Sequence, residues 1–294
     1  MPDTIARAPW RSAVPTARLV ATSSDGTRLA VQTWGRDDAP AILLVHAWAN
    51  SHLGWAPQLV GRLAREFRLV TFDWRGHGQS DHPLEPAAYA ESRQWGDDVA
   101  AVIAAAGLVR PTLVGWSVGG IVVLDYLRAH GAGNVAAVHF VAAGNTLGTE
   151  RAAGHFGAAA AEHAASAFAP DLRAQLLGVL RLQQALVHRD LPIEDFGELV
   201  MQAVASSPVA RAAVLSRIVD HEETLRGLTV PILLAHGTAD GIITRIASDQ
   251  AREYAPHAAL SLYDGAGHAP HLEDPDRFDD ELAAFVRAHA TAAR

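Results

Sequence analysis

Pro111-Thr112-Leu113-Val114-Gly115-Trp116-Ser117-Val118-Gly119-Gly120 is the stretch that decides the architecture of this chain. A short apolar run of buried-strand character ends in a serine with a glycine two residues away on either side, and a helical pattern over 118 to 130 follows at once. A chain that passes from strand to helix this abruptly turns so tightly that a Cβ at Gly115 or Gly119 would strike neighbouring backbone. The serine between them takes a strained conformation that lifts its hydroxyl out of the sheet. The reading is a nucleophile elbow. G-x-S-x-G alone also fits an ordinary strand-to-helix turn in a glycine-rich chain, so the assignment rests on what the rest of the sequence supplies.

A serine hydroxyl is a weak nucleophile and needs a base, and the base needs an anionic partner that sets its tautomer. Pro231-Ile232-Leu233-Leu234-Ala235-His236 reads as an apolar strand, and Gly237-Thr238-Ala239-Asp240 puts a carboxylate just past its end. A further strand-like run, Ala259 to Tyr263, leads into Asp264-Gly265-Ala266-Gly267-His268, a glycine-rich loop ahead of a helix at about 276 to 290. Asp240 is the acid candidate and His268 the base candidate. Asp73 and Asp125 are weaker competitors for the acid, the first in a loop motif and the second two turns into the helix after Ser117.

The order Ser117, Asp240, His268 and the spacing of the strands resemble the α/β-hydrolase family of serine esterases, over nearly the whole chain. Two other segments carry the resemblance. Ala41 to Trp48 is similar to the family's strand followed by His-Gly-x, and Arg68 to Ser80 to its strand followed by Asp-x-Arg-Gly-x-Gly-x-Ser. Trp48, Trp116 and Gly267-His268-Ala269-Pro270 are similar to the pimeloyl-carrier-protein methyl ester esterases. Cofactor-free haloperoxidases and perhydrolases are related as well. The resemblance implies an oxyanion hole made by the backbone N–H groups of Val118 and Trp48. It also implies structural roles for His46 and His77, the first bracing the oxyanion loop and the second ordering the loop after the fourth strand. Two departures stand out. Ala47 replaces the glycine after the histidine, which narrows the conformations of the loop that aims the Trp48 amide. Ala49 stands where the perhydrolases often carry proline, which argues against peracid chemistry.

Short apolar runs alternating with helical patterns predict a mostly parallel sheet covered on both faces. Eight strands are expected: a hairpin around Asp25-Gly26, with strands at 18 to 23 and 27 to 34, then 41 to 46, 68 to 73, 111 to 116, 135 to 142, 231 to 236 and 258 to 263. Helices are expected at about 53 to 66, 91 to 106, 118 to 130, 245 to 254 and 276 to 290. The alanine- and leucine-rich stretch from 145 to 226 reads as helical throughout, with no strand. It is taken as a helical cap inserted after the sixth strand, with 1 to 144 and 227 to 294 as the core. Phe156, Phe168, Leu176, Leu177, Leu180, Leu186, Phe196 and Met201 are the cap residues considered for an acyl chain, and most of them are expected to pack the cap on the core instead. Arg173, Arg181 and Arg189 drift around a helix by about 80° per step and form no stripe for an acidic carrier.

Composition fits a one-domain enzyme with an insertion, or two small domains: 294 residues, 49% hydrophobic, 19% charged. All 24 basic residues are arginine and the formal net charge is −8, so nucleic acid and anionic membranes are not expected partners. No apolar run is long enough to cross a bilayer. The stretch from Met1 to Pro15 lacks the continuous apolar run of a secretory signal, and a cytoplasmic monomer or homodimer is expected. With no cysteine, no H-E-x-x-H and no glycine-rich dinucleotide turn, neither a metal nor an organic cofactor is expected. His268 and His271 with Glu273 or Asp274 make a poor metal site because Pro270 breaks any shared helical face.

The reading is therefore a serine hydrolase of small-molecule carboxylic esters with neutral, moderately hydrophobic acyl groups. Ser117, Asp240 and His268 are its catalytic residues, with Trp116, Phe156 and Phe168 against substrate. Lactone, thioester or C–C bond hydrolysis and perhydrolysis are the alternatives on the same residues. A ligand-binding receptor without turnover is the alternative of another class.

Overall fold

The computed structural model describes residues 14–189 and 191–290, so of the N-terminal stretch read above only Val14 and Pro15 fall within it. Among the described residues the strands are β1 (Ala17–Thr22), β2 (Arg28–Gly35), β3 (Ala41–Val45), β4 (Arg68–Phe72), β5 (Thr112–Trp116), β6 (Ala137–Val141), β7 (Thr146–Leu147), β8 (Val219–Asp220), β9 (Ile232–Gly237) and β10 (Ala259–Tyr263). All but β7 and β8 form one eight-stranded sheet in the order β1-β2-β4-β3-β5-β6-β9-β10. The β1–β2 and β2–β4 pairings are antiparallel and the rest parallel. The hairpin turn forms as expected, with Gly26 at φ 89° and its N–H donating to Ser23 O at 2.9 Å. This is an α/β sheet of the predicted class.

The helices are α1 (Ala56–Val60), α2 (Arg62–Glu66), α3 (Ser92–Ala105), α4 (Val118–His130), α5 (Ala158–Ala167), α6 (Leu172–Gln184), α7 (Ile193–Ala205), α8 (Pro208–Leu215), α9 (Glu222–Gly227), α10 (Ile246–Tyr254), α11 (Pro270–Glu273) and α12 (Pro275–His289). Every residue of β5 and β6 is buried, as a central parallel strand requires, and the alternation of side chains sends neighbours to opposite faces. Leu43 and Leu113 join one apolar cluster with Val99 and Val122, while Ile42, Leu44 and Val114 join the other with Leu63, Phe278 and Leu282. Helix α4 is buried over its first ten residues, 118 to 127, which explains why its sequence there is apolar except for Asp125 and the phenol of Tyr126.

Two expectations are corrected. The single helix at 53 to 66 is a 3-10 turn (His52–Trp55) followed by α1 and α2, broken at Gly61, whose ψ of −159° is extended. A Cβ at Gly61 would lie 2.8 Å from Pro57 O, so the backbone itself crowds the break. The stretch from 145 to 226 is also not helical throughout. Its two ends pair as the antiparallel β7 and β8, Thr146 opposite Asp220 and Leu147 opposite Val219. Strands of two residues have no periodicity to read, and this pairing joins positions more than seventy residues apart. The ladder pinches the insertion at its base, and α5 to α8 lie between.

Candidate active site

Ser117 lies between the last residue of β5 and the first of α4, with φ 58° and ψ −125°, a region that only a tightly constrained L-residue occupies. The constraint comes from backbone. A Cβ at Gly115 would sit 2.6 Å from Gly120 Cα, and one at Gly119 would collide with the carbonyl oxygens of Val45 and His46. Ser117 N–H donates to Val141 O at 2.9 Å, which ties the turn to β6. At the start of α4 the Val118 N–H is among the first-turn donors that have no acceptor within the helix.

His268 follows β10 on the glycine-rich loop, and its Nδ1 lies 2.8 Å from Asp240 Oδ2, both side chains 1% exposed. With Nδ1–H donating to the carboxylate, Nε2 is left for the cavity that His268 and Ser117 both line. The other carboxylate oxygen, Oδ1, accepts from Ile242 N at 2.8 Å and Ile243 N at 3.0 Å, so Asp240 closes its own loop with one oxygen and holds the imidazole with the other. Beneath it, His236 bridges Ser248 Oγ (2.8 Å) and Ile243 O (3.0 Å), and burial depresses its pKa.

Neither competing acid meets His268. Asp73 accepts from His52 N (2.8 Å), His52 Nδ1 (2.9 Å) and Gln79 N (2.9 Å), which organises the loop after β4. Asp125 is 2.6 Å from Arg217 Nη2 and 3.1 Å from His221 Nε2, all fully buried, and ties α4 to the returning end of the insertion.

The loop after β3 carries Trp48. His46 Nδ1 donates to Ala47 O at 2.8 Å, its Nε2 accepts from Trp74 N at 3.1 Å, and the ring stacks on Trp74 at 4.4 Å. Burial holds His46 neutral, its pKa lowered to about 4. His77 is likewise buried, its Nδ1 3.1 Å from Arg75 O. Ala47 is not one of the positive-φ residues, and the left-handed position in this loop is Ala49, at φ 56°. An alanine at 47 therefore introduces no strain of its own. Two glutamines of the insertion reach the same loop: Asn50 Nδ2 donates to Gln183 Oε1 at 3.3 Å, and Ser51 N and Oγ donate to Gln202 Oε1 at 3.0 and 3.1 Å.

Ser117, Val118, Trp48 and His268 share one cavity, roofed by α5 and α6. Phe156 and Phe168 line it, as does Leu186; Trp48 meets Phe168 edge to face at 5.7 Å between centroids. Trp116 does not. It is fully buried behind the wall, packed on Trp55 and His271, and its Nε1 donates to His268 O at 2.8 Å. The adjacency to Ser117 suggested a substrate contact, but strand alternation turns the indole into the core, where it steadies the histidine loop instead. Leu176, Leu177 and Met201 point outward, and Leu180 lines an outer groove rather than the cavity. The reading from residues missed Gln183, Leu182, Leu215, Ile242 and Ile243 in the wall. Ile242 and Ile243 had a signal, an apolar pair directly after an Asp-Gly turn. Gln183 had only its polarity inside Leu-Arg-Leu-Gln-Gln-Ala-Leu. Among the described residues no group of three or more His, Cys, Asp or Glu is arranged to hold a metal ion. None of the helices described is long and apolar enough to cross a membrane.

Residues 40–275 match the model of the alpha/beta hydrolase fold family. The crystal structure of the esterase RhEst1 from Rhodococcus sp. ECU1013 is 35% identical, superposes with a TM-score of 0.86, and the match covers 93% of this chain and 99% of that one. A non-heme chloroperoxidase of Streptomyces lividans is 28% identical over 91% of this chain and 99% of its own length. The 3-oxoadipate enol-lactonase 1 of Acinetobacter baylyi is 26% identical over 92% of this chain and 97% of its own. With the elbow, the sheet order and the family match in agreement, the chain belongs to the alpha/beta hydrolase fold family.

Proposed function

We propose that the protein is a serine hydrolase that cleaves carboxylic esters of neutral, moderately hydrophobic acyl groups through an acyl-enzyme. The observation that carries this reading is the meeting of a strained Ser117 and an Asp240-held His268 at one apolar cavity. His268 Nε2 takes the proton of Ser117 Oγ as the oxygen attacks the ester carbonyl. The N–H groups of Val118 and Trp48 receive the developing oxyanion, and Asp240 stabilises the imidazolium. The bond from carbonyl carbon to alkoxy oxygen then breaks, and His268 gives its proton to the departing alcohol. Water, deprotonated by the same nitrogen, attacks the acyl-enzyme, releases the acid and restores Ser117. The helical insertion, 145 to 226, acts as the cap over a core of 1 to 144 and 227 to 294. Its wall of Phe168, Leu182 and Leu186 offers no cation, which favours uncharged acyl groups.

The similarity to a chloroperoxidase raises perhydrolysis, in which peroxide replaces water as attacker of the acyl-enzyme. Ala49 speaks against it: at φ 56° the position cannot hold the proline, fixed near −65°, that the related perhydrolases often carry. The test is a chromogenic short-chain ester followed from the first turnover. A burst of alcohol stoichiometric with enzyme is expected, and Ser117→Ala, still folded, should lower the rate roughly a thousandfold or more. Ser117→Ala activity within about tenfold of the parent would sink the assignment.

A further inference from the structure

Resting on the esterase reading, we infer that Gln183 is a specificity-determining residue, whose side-chain N–H recognises a second acceptor oxygen on the ester held in the cavity. Gln183 is 1% exposed, sits in the last turn of α6 and lines the same cavity as Ser117 and His268. Which end of its amide faces the cavity follows from its neighbour. Asn50 reaches Ala49 O at 3.0 Å, and a carbonyl only accepts, so Asn50 presents its NH2 there. The same NH2 lies 3.3 Å from Gln183, which must answer with Oε1. Gln183 Nε2 is left over. It meets no acceptor among the described residues, and it is not one of the polar atoms sealed inside the protein, so it opens on the cavity.

The rest of the wall is apolar apart from Ser117 and His268, which are committed to the reacting carbonyl. An amide N–H that opens on an otherwise apolar cavity finds its partner in what binds there, and a site built to donate one hydrogen bond penalises a substrate that leaves it unmade. The substrate class that satisfies it is an uncharged ester with a keto, ether or second ester oxygen some carbons from the scissile carbonyl. Such an oxygen fits on the acyl or on the alcohol side, and a comparison of the two series separates them.

The test uses the full-length enzyme and matched esters. For the acyl side these are p-nitrophenyl hexanoate and its analogues with a carbonyl at carbon 4 or 5. For the alcohol side they are heptyl acetate and 2-butoxyethyl acetate. Each kcat/KM is divided by the ester's own hydroxide rate. Wild type should favour one acceptor ester by about tenfold over its plain partner, the worth of one well-made hydrogen bond. Gln183→Met, similar in volume, should bring that ratio to near one and leave the plain ester within about threefold. Gln183→Asn, with a shorter amide, should reduce the preference or move it along the chain. A wild-type ratio near one in both series overturns the proposal, whether or not Gln183→Met folds. Equal losses on both members of a pair also overturn it, because they show Gln183 acting only through the Asn50 loop. Failure to hydrolyse the plain esters would instead strike the esterase reading itself.

Discussion

The floor of the site and its roof are built on different principles. In the floor, β5, β6 and the turn at Ser117 are held by backbone against backbone: the glycines at 115 and 119 have no room for a methyl group, and every residue of both strands is buried. In the roof, α5 to α7 carry Leu172, Ile193 and Met201 at 65%, 74% and 64% exposure; backbone bonds from Gly157 and Ala159 anchor the start of α5 to the 241–242 loop, while the ties to the loop after β3 are made by side chains, as in Asn50–Gln183 and Ser51–Gln202. A backbone-determined position cannot be altered without moving the chain, whereas a side-chain contact can be replaced one residue at a time. Reaction chemistry is therefore expected to reside in the floor and substrate choice in the roof.

The sharpest way to break that contrast is to exchange the carboxylates. Asp240→Asn keeps an oxygen for the Ile242 and Ile243 amides but removes the anion from His268, so kcat should fall by about a thousandfold to ten-thousandfold with little change in Tm. Asp125→Asn should do the reverse. It leaves Arg217 and His221 buried without their anion, a loss on the order of 3 to 5 kcal/mol of stability, while the folded fraction keeps its kcat. If Asp125→Asn stopped turnover at unchanged Tm, the assignment of the acid would be wrong.

Acid should weaken the floor. Burial lowers the pKa of His77, His139 and His271 to about 3 and of His46 to about 4, against an ordinary value of 6.5. Below pH 6.5 the unfolded chain takes up these protons and the folded chain refuses them. Stability is therefore full above 6.5 and declines towards pH 4, by up to about 1.4 kcal/mol per pH unit for each histidine. Urea melts between pH 7.5 and 4.5 measure the slope, and a flat profile would contradict it. His139 isolates one share, since neither ring nitrogen has a partner and the ring stacks on Phe278 at 5.3 Å. His139→Leu should reduce the slope and leave activity at pH 8 unchanged.

The smallest effect belongs to the roof. Phe168→Ala opens space beside Trp48 and should move the preferred acyl length upward by a few-fold in kcat/KM, with acetate esters little affected. An unchanged chain-length profile for this variant and for Phe156→Ala would move specificity from the roof to the floor around Trp48.

From the sequence alone it was possible to read the eight strands, the tight turn at Ser117, and the chain order of Ser117, Asp240 and His268, because each rests on local rules: short apolar runs between helical patterns, glycine where a Cβ has no room, and loops at strand ends. The break at Gly61, the β7–β8 clasp, the inward turn of Trp116 and the presence of Gln183 in the cavity were decided only in three dimensions. The break at Gly61 depends on crowding by Pro57 O one turn earlier, and the others on which residue arrives from a distant part of the chain: Asp220 against Thr146, His268 O against Trp116, Asn50 against Gln183. Local pattern specifies elements and their order. The partner that a side chain meets is a product of packing, and the choice of substrate is written at that level.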